Sequence, residues 1–418
     1  MLRPETFTMK ILFVVPNVPS AIRPRPLHLV RGLSQTHEVS VVCLVTSEAD
    51  EGFVSQLERE CPRVNIIRLS PWRSFSNCLL ALFSGNSLRC AYFDSPRLRD
   101  LVRARVEANQ VDLVHAEHLK SLPMVEPVLG TVPAVFDAVD CLSMLESRRR
   151  RVTKNPLVNL FSWLEAKRLA RWEGRAVRGF NRVVISSAVD REAYPIPTDL
   201  REKIDVIPNG VDLRHFGFRQ VEANPNLLVF SAKLDYFPNE DAALYFALSV
   251  WPLLRTRRPE LQLEIVGSRP PQSVRRLDGR NNIRVIPSVP DVKPFLGRAW
   301  VALCPIRIRA GIQNKILEAM ALGVPVVATP VCCDGLQLEP GKHLLVADGP
   351  ESFASAIELL LDNATLRTKL IEAARAYVEY HHNWADSVTA LADSYQAAIY
   401  HFTARAASMA PPVAVPLR

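Results

Sequence analysis

Short runs of apolar, mostly β-branched residues alternate along the chain with stretches whose apolar residues recur at helical spacing. This alternation is typical of parallel strands that are buried on both faces and connected by helices. A first series of strands is predicted at 10–15, 38–45, 64–69, 112–116, 133–138 and 182–187. A second series is predicted at 226–232, 261–267, 283–287, 300–305, 325–329 and 343–347.

The turn-rich stretch "VIPNGVDLRHF" at 206–216 separates the two series. Two successive strand-helix series predict an α/β protein with two doubly wound domains and a cleft between them. We expect the first domain to span 1–210 and the second 211–383, followed by a helix at 384–404. Residues 405–418 are expected to form a disordered tail.

The composition is that of a sizeable soluble protein with a basic charge balance. The chain has 418 residues, 48% of them hydrophobic, and a net charge of +8 with histidines neutral. Such an excess favours anionic partners, which include nucleotides, lipid head groups and nucleic acid. No aromatic-basic recognition motif and no helix-turn-helix pattern accompanies the charge, so we do not expect nucleic acid to be a partner.

Eight cysteines form no CxxC pair and no cluster with histidine, so we interpret them as reduced core thiols of a cytoplasmic protein. Cys332 and Cys333 are adjacent, and their position after a predicted strand favours a buried structural role over redox activity. The apolar run at 11–15 is too short for a signal peptide core or a membrane span. We interpret residues 1–8, before Met9, as either a disordered extension or the product of an upstream start.

Ligand chemistry is expected beyond the carboxyl ends of the strands. The first strand leads into "VPNVPSAIRPRP", which has no GxGxxG fingerprint and no P-loop, so a nicotinamide dehydrogenase and a P-loop kinase are excluded. The fourth strand leads into "HAEHLKSLP", which puts His115, Glu117 and His118 at a turn facing the predicted cleft. Acid, base or hydrogen-bond chemistry is available there, and a structural role for His118 is an equally good interpretation.

The stretch "RIRAGIQNKILEAMALGVPVVAT" at 307–329 predicts a short helix that ends at Gly323 and feeds a strand. Three cations lie around the start of this helix: Arg307, Arg309 and Lys315. A helix N-terminus carries a partial positive charge, so each cation there is unfavourable by about 0.3 to 1 kcal/mol. Their clustering indicates that an anion binds at this point.

Four stretches carry a family resemblance: "GIQNKILEAMALGVPVVAT" (311–329), "VIPNGVD" (206–212), "SVPDVKPFLGRA" (288–299) and "DLVHAEH" (112–118). They resemble the retaining nucleotide-sugar transferases of glycosyltransferase family 4, in the family's order and over nearly the whole chain. The resemblance implies the GT-B architecture, with two Rossmann-like domains facing across a cleft. The first would serve the acceptor and the second the donor, and the last helix would cross back to the first domain.

The branch that the chain resembles is found in bacterial exopolysaccharide clusters alongside exosortases. The stretches "SAKLDYFPNEDAALYF" (231–246) and "GIQNK" (311–315) carry this finer similarity. It implies a role in bacterial exopolysaccharide synthesis.

Carried over to this chain, the resemblance implies roles for individual residues. Glu318 would accept hydrogen bonds from the ribose hydroxyls of a UDP- or GDP-linked sugar, and Lys233 and Lys315 would reach its diphosphate. The donor-binding set is Glu318, Gly311, Ile312, Gln313, Val289, Asp291 and Arg307. In this set the backbone of 311–313 would meet the diphosphate, and 289–292 would meet the base.

The first domain contributes the remaining candidates. His118 would orient the acceptor or the donor sugar, which gives the catalytic set His118, Lys233 and Lys315. The acceptor-side candidates are Arg23, Arg25 and His115.

Several positions depart from the family pattern. Ala310 stands where the family has a glutamate that contacts the donor sugar, Ala232 where it has a glycine and Lys233 where it has an arginine. Asn239 or a neighbour stands where the family has a lysine, and the first loop lacks the family's paired glycines. A catalytically silent nucleotide-sugar-binding protein therefore stays open, and the donor sugar is undefined. A GT-B sugar epimerase would need a pair of carboxylates near the sugar, and the first-domain loops offer no convincing pair.

No DxD motif and no His or Cys cluster at ligand spacing is present in the sequence, so no metal is expected. The lysines and a helix N-terminus would then neutralise the leaving group. The resemblance implies retention of anomeric configuration, and the sequence offers no two carboxylates suited to double displacement. This favours attack by the acceptor from the front face, in which the departing diphosphate oxygen takes the acceptor's proton.

The basic excess has a second candidate use. The arginine-rich "SRRRRVTK" (147–154) precedes an amphipathic stretch at 157–172 that carries Phe161, Trp163 and Trp172. This combination suits an interfacial helix on an anionic membrane, and a helix that packs its aromatics on the first domain fits equally well. A lipid-linked acceptor favours the first, with the protein on the inner face of the plasma membrane. An oligosaccharide acceptor stays open, and the sequence does not indicate an oligomeric state.

Overall fold

The computed structural model of the protein describes residues 8–409, apart from the side chains of Ala49 and Met409. The chain divides into two compact units. The N-terminal unit comprises Met1–Ser147, Pro156–Ile207 and Ser387–Arg418, and the C-terminal unit comprises Arg148–Asn155 and Pro208–Asp386. Residues 1–7 of the predicted extension (1–8) and residues 410–418 of the predicted tail (405–418) lie outside the described residues.

The N-terminal unit is built on a parallel sheet. Its strands are β1 (Lys10–Val15), β2 (Glu38–Val45), β3 (Val64–Arg68), β4 (Leu113–Glu117), β5 (Ala134–Val139), β6 (Arg182–Ile185) and β7 (Ile204–Val206). Among the described residues the strand order is β3-β2-β1-β4-β5-β6-β7. Every residue of β1 after Lys10 is buried, as expected of a central strand that is covered on both faces.

Helices cover this sheet, and several begin with proline in the first turn, where its missing N–H is not needed. They are α1 (Pro24–Leu33), α2 (Glu48–Glu60), α3 (Pro71–Ser84), α4 (Leu88–Tyr92), α5 (Pro96–Glu107), α6 (Leu122–Val125), α7 (Leu142–Val152), α8 (Pro156–Gly179) and α9 (Ala188–Ala193).

The C-terminal unit contains a second parallel sheet. Its strands are β8 (Leu227–Ser231), β9 (Gln262–Gly267), β10 (Ile283–Pro287), β11 (Val301–Cys304), β12 (Val326–Ala328) and β13 (Leu345–Val346), in the order β10-β9-β8-β11-β12-β13 within the described chain. Gly267 ends β9 where the chain passes close to the loop after β8. A Cβ at this position would lie 1.7 Å from the carbonyl oxygen of Ala232, so only glycine fits.

The helices of this unit include one that starts at the predicted anion site. They are α10 (Phe237–Tyr245), α11 (Trp251–Arg257), α12 (Gln272–Arg275), α13 (Lys293–Gly297), α14 (Asn314–Ala321), α15 (Pro330–Cys333), α16 (Pro350–Asp362) and α17 (Ala364–His381). A π-helical turn at Phe246–Val250 joins α10 to α11. Gly323, with φ of +72°, turns the chain from α14 towards β12, as predicted.

The predicted fold class is confirmed, and each predicted strand is present. The structure adds the short strand β7, which the sequence analysis did not predict. The last helix, α18 (Trp384–Met409), continues beyond the predicted end at 404 because the alanine-rich segment that follows has a high helix propensity. Of the helices described, none has the length and apolar character needed to cross a bilayer.

Candidate functional site

The C-terminal unit brings the candidate donor residues together at the carboxyl edge of its sheet. Strand β8 lies between β9 and β11, so the strand order reverses at this point. Lys233 follows β8, and α14 follows β11 through the loop at 305–313. In open parallel sheets such a reversal forms a crevice where ligands bind.

Asn239 links the two candidate lysines of this edge. The ammonium of Lys315 donates a hydrogen bond to the amide oxygen of Asn239 at 2.7 Å. The amide nitrogen of Asn239 donates in turn to the backbone carbonyl of Lys233 at 2.8 Å. Asn239 is buried in the first turn of α10. Asn239, which departs from the family pattern, thus orients the ammonium of Lys315, a catalytic candidate.

The two lysines have different surroundings. The Lys233 side chain is exposed, and its ammonium lies 3.8 Å from the carboxylate of Asp235. Lys315 is half-buried, with its ammonium 5.1 Å from the centre of the Phe230 ring. Burial lowers the pKa of Lys315. A partly desolvated ammonium interacts more strongly with a phosphate than one in bulk water.

Glu318 lies one turn after Lys315 on α14, which puts both side chains on one face of the helix. Burial raises the pKa of Glu318 to about 7, against the opposing effects of Lys315 and His215. His215 also lies beside Asp291, with 3.2 Å between its Nε2 and a carboxylate oxygen. The resulting carboxylate is more basic than usual and is a strong acceptor for hydroxyl groups.

The two arginines before α14 are engaged by the protein itself. The guanidinium of Arg307 makes a two-point ion pair with Asp241, with N–O distances of 3.0 and 2.6 Å. The side chain of Arg309 is buried and donates to the carbonyl of Gly311. A carboxylate of the protein therefore faces Arg307, and the place of Arg307 in the donor-binding set stays a prediction.

The other donor candidates lie in loops next to these helices. Gly311, with φ of +68°, Ile312 and Gln313 lead directly into α14, of which Gln313 is the N-cap. Val289 is half-buried and lies in the loop between β10 and α13. In the same loop the Asp291 carboxylate accepts from the backbone N–H of Lys293 at 2.9 Å, so it also stabilises the start of α13.

Residues 208–210, "PNG", support the start of α14. The side-chain amide nitrogen of Asn209 donates to the side-chain oxygen of Asn314 at 3.0 Å. The backbone carbonyl oxygen of Asn209 lies 2.8 Å from Nδ1 of His382. A Cβ on Gly210 would lie 2.6 Å from the backbone nitrogen of Trp384. This family stretch therefore holds the helix that carries Lys315.

In the N-terminal unit, β4 and β5 lead into strained residues at their carboxyl ends. His118 and Val139 both have φ of +64°, which is unusual for residues with a Cβ and most strained for a β-branched side chain. Nδ1 of His118 accepts from the backbone N–H of Lys120 at 3.3 Å. Burial, together with Lys120 and Arg89, lowers the pKa of His118 well below its usual value. The imidazole is therefore neutral at pH 7, and its Nε2 carries the proton.

Two carboxyl groups meet at the same edge. Glu117 and Asp137 are register partners in β4 and β5. Burial and then the Asp137 charge raise the pKa of Glu117 to about 8, so Glu117 is mainly protonated at neutral pH. This pair was not predicted because its members lie on different strands.

The acceptor-side arginines make ion pairs within the N-terminal unit. Arg25 is buried in the first turn of α1, and its Nε lies 2.7 Å from a carboxylate oxygen of Asp137. Arg23 is partly exposed, and its Nη1 lies 2.8 Å from the carboxylate of Asp50. The burial of Arg25 favours a structural role over acceptor contact, whereas Arg23 stays an acceptor-side candidate.

His115 lies in the core. Its ring stacks on Phe13 with 3.9 Å between ring centres, and its Nδ1 lies 2.9 Å from the hydroxyl of Tyr395 in α18. The side chain has no solvent exposure, and burial lowers the pKa of His115 to about 4. We therefore reassign His115 from the acceptor side to the packing of α18 on the sheet.

All eight cysteines are free thiols. Cys332 is buried, with its sulfur 3.4 Å from that of Cys304, and Cys333 is half-buried. Over residues 8–409, no group of three or more His, Cys, Asp or Glu side chains is arranged to hold a metal ion.

Residues 225–363 match the family model described as glycosyl transferases group 1. This segment is similar to the group 1 glycosyl transferases. It contains Lys233, Asn239, Lys315 and Glu318, and so includes the whole Lys-Asn-Lys arrangement.

Curated relatives are glycosyltransferases at low identity. An uncharacterized glycosyltransferase of Haemophilus influenzae is 27% identical over 38% of this chain and 49% of its own length. A D-inositol 3-phosphate glycosyltransferase of Paenarthrobacter aurescens is 25% identical over 56% of this chain and 62% of its own length. The chain thus matches less than two thirds of either relative.

Solved structures share the fold over almost the whole chain. Anabaena HepE, in complex with UDP and glucose, has a TM-score of 0.65 at 16% identity, covering 93% of this chain and 99% of that one. TarM has a TM-score of 0.68 at 9% identity, covering 94% and 99%. Together with the two parallel sheets, these similarities confirm the predicted GT-B fold.

Sequence reasoning missed the partners that organise the group 1 segment. Asn239 was noted only as a departure, and His215 was not considered, although it lies in the turn-rich stretch at 206–216. Asp212 gives a usable signal there, because its carboxylate accepts from the backbone N–H of Arg214 at 3.0 Å in an Asx turn, and also from that of His215 at 3.1 Å.

Proposed function

We propose that the protein is a glycosyltransferase that moves a sugar from a UDP- or GDP-linked donor to a saccharide acceptor with retention of anomeric configuration. The observation that carries the proposal is the pairing of Lys315 and Glu318 on one face of α14, within the segment similar to group 1 glycosyl transferases. An ammonium and a basic carboxylate one turn apart match the diphosphate and the ribose of a nucleotide sugar.

In this proposal the C-terminal unit binds the donor. Lys315, positioned by Asn239, and the exposed Lys233 contact the diphosphate. The N–H groups at 311–313 add hydrogen bonds near the start of α14, where the helix dipole also favours negative charge. Val289 and Asp291 line the side where the base would lie.

His118 is the proposed contribution of the N-terminal unit to catalysis. Its neutral ring presents a proton on Nε2, which suits a hydrogen bond to a sugar hydroxyl. Backbone strain at His118 and Val139 supports this assignment, because such strain clusters at functional sites.

The proposed reaction breaks the bond between the anomeric carbon and the diphosphate oxygen and forms a bond from the same face to the acceptor oxygen. The departing oxygen takes the acceptor's proton. Lys315 and Lys233 stabilise the negative charge that grows on the diphosphate, so we propose that no metal ion is required.

We assign the reaction to bacterial exopolysaccharide synthesis, with a lipid-linked or oligosaccharide acceptor, at the cytoplasmic face of the membrane. The resemblance of 231–246 and 311–315 to the exosortase-associated branch supports this finer assignment.

A catalytically silent nucleotide-sugar binder is the second candidate. Ala310 is buried directly before Gly311 and offers no carboxylate to the donor sugar, which favours this alternative. Thermal-shift titration with nucleoside diphosphates and nucleotide sugars tests donor binding, because a ligand that binds the native state raises its stability with concentration. Product formation with a lipid-linked acceptor then separates a transferase from a binder, and an absence of any shift would contradict both.

A further inference from the structure

Helix α3 turns its apolar face away from the protein. Trp72 and Phe83 are 81% and 86% exposed, while Ser74 and Ala81 on the opposite face are buried. At 100° per residue the exposed large side chains share one face of the helix, which is the reverse of a helix that packs on a core. They are Trp72, Phe75, Leu79, Leu80, Leu82 and Phe83.

The first half of α8 also exposes apolar side chains. The Arg168 guanidinium donates to the carbonyl of Leu82 at 3.4 Å, which links α8 to the end of α3. Its exposed apolar residues are Leu157, Leu160, Phe161, Trp163 and Leu164. We call these residues, with the exposed residues of α3, the apolar surface. The exposure of Phe161 and Trp163 favours the interfacial reading of α8 over packing on the domain.

Charges along these helices are almost all basic. Over 71–84 and 156–172 the basic residues are Arg73, Lys167, Arg168 and Arg171, and the acidic residue is Glu165. Glu165 is buried and accepts a hydrogen bond from the hydroxyl of Ser87 at 2.6 Å, so its charge is not presented to solvent. The exposed aromatic and aliphatic side chains suit the boundary of the acyl chains in an anionic bilayer, and the neighbouring cations suit its phosphate head groups.

Two arginines of the run at 148–151 make contacts within the C-terminal unit. The Arg148 guanidinium donates to the carbonyl of Arg309 at 2.9 Å and lies 3.6 Å from the carboxylate of Asp334. The Arg149 guanidinium lies over the Phe237 ring, 4.3 Å from its centre. Both arginines are therefore bound within the C-terminal unit, so the inference below rests on α3 and α8 and not on Arg148 or Arg149.

We propose that the apolar surface inserts into the interfacial region of an anionic phospholipid bilayer and holds the N-terminal unit on the membrane. The inference deepens, and rests on, the membrane location in the proposed function. Insertion needs neither donor nor acceptor, so it is measured separately from sugar transfer.

Sedimentation with vesicles of equal parts phosphatidylglycerol and phosphatidylcholine tests the proposal. A triple variant, Phe75→Ser with Leu79→Ser and Phe83→Ser, should partition about 1,000-fold more weakly, because each buried apolar side chain contributes about tenfold. The matched control replaces three exposed apolar residues of the C-terminal unit by serine and should partition like the parent. The three residues replaced in this control are Leu248, Leu359 and Tyr380.

The triple variant should keep the melting temperature of the parent and its stabilisation by nucleotides, which separates lost insertion from lost donor binding. A parent that does not bind these vesicles would overturn the proposal. So would equal binding by the parent and the triple variant, or equal loss in the control. A lipid-independent dimer that the triple variant abolishes would assign the apolar surface to a second copy of the chain instead.

Discussion

Replacing Lys315 by Met tests whether its ammonium serves the departing diphosphate. The change keeps the length of the side chain and removes the charge that donates to Asn239 at 2.7 Å. Loss of one electrostatic stabiliser of a transition state lowers turnover by about 10² to 10³, and we expect kcat to fall in that range. The donor KM should rise less, because charge on the leaving oxygen is greatest in the transition state.

Stability separates this role from a structural one. Loss of a hydrogen bond from a charged donor removes about 1.5 to 3 kcal/mol. Removal of a cation from the first turn of α14 returns up to about 1 kcal/mol. We therefore expect the free energy of unfolding of the ligand-free protein to fall by about 0.5 to 3 kcal/mol.

Steady-state kinetics with varied donor and chemical denaturation of Lys315→Met measure both effects. Asn239→Ala should lower kcat by a smaller factor, and the double variant should be no slower than Lys315→Met, because Asn239 acts by positioning the ammonium. Lys342→Met, at an exposed lysine paired with Glu339, is the matched control and should leave kcat unchanged. A normal kcat in Lys315→Met with a large loss of stability would refute the reasoning.

Four further predictions concern the donor site, the metal requirement and the packing beside β8. Glu318→Gln should raise the donor KM more than it lowers kcat in steady-state kinetics, because the ribose contact is similar in the ground and transition states. The pKa of Glu318 is raised from 4.5 to about 7, so the folded parent loses stability as pH rises from 4.5 to 7. Glutamine does not ionise, so thermal melts should show Glu318→Gln gaining stability relative to the parent over this range. Transfer should survive EDTA in a product assay, and a strict requirement for Mn²⁺ or Mg²⁺ would contradict the proposed role of the lysines. Gly267→Ala should lower the free energy of unfolding by at least about 3 kcal/mol in denaturant melts, whereas Gly52→Ala, with no atom within 4 Å of the added Cβ, should be neutral or stabilising by up to about 1 kcal/mol.

The fold was largely predictable because buried parallel strands leave continuous apolar runs. "KILFVV" and "EVSVVCLV" predict β1 and β2 with the bounds that the structure has. Strand β7 was missed because its three residues, "IDV", are too short to form such a run. Its place beside β6 is set by tertiary pairing, which periodicity does not report.

The candidate site was predictable where its residues are local. Lys315 and Glu318 are three residues apart, so helical geometry alone puts them on one face. The carboxylate partner of Arg307 was not predicted because Asp241 is 66 residues away in sequence. Sequence spacing identifies the face of a helix, whereas the charge that faces it is set by the fold.

The apolar surface illustrates the same limit. The sequence of α3, "PWRSFSNCLLALFS", has the pattern of an amphipathic helix, and that pattern does not tell which face meets the protein. Only the burial of Ser74 and Ala81 shows that the small residues pack inward and the aromatic residues face outward.

Paired measurement of nucleoside diphosphate release and of sugar incorporation into a lipid-linked acceptor fraction tests the central claim most directly. With a panel of UDP- and GDP-linked sugars, at least one donor should give equal amounts of diphosphate and glycosylated acceptor, and Lys315→Met should reduce both alike. Two results would contradict the claim that a nucleotide sugar binds at the start of α14. One is that no donor binds or reacts, and the other is that Lys315→Met forms both products at the parent rate.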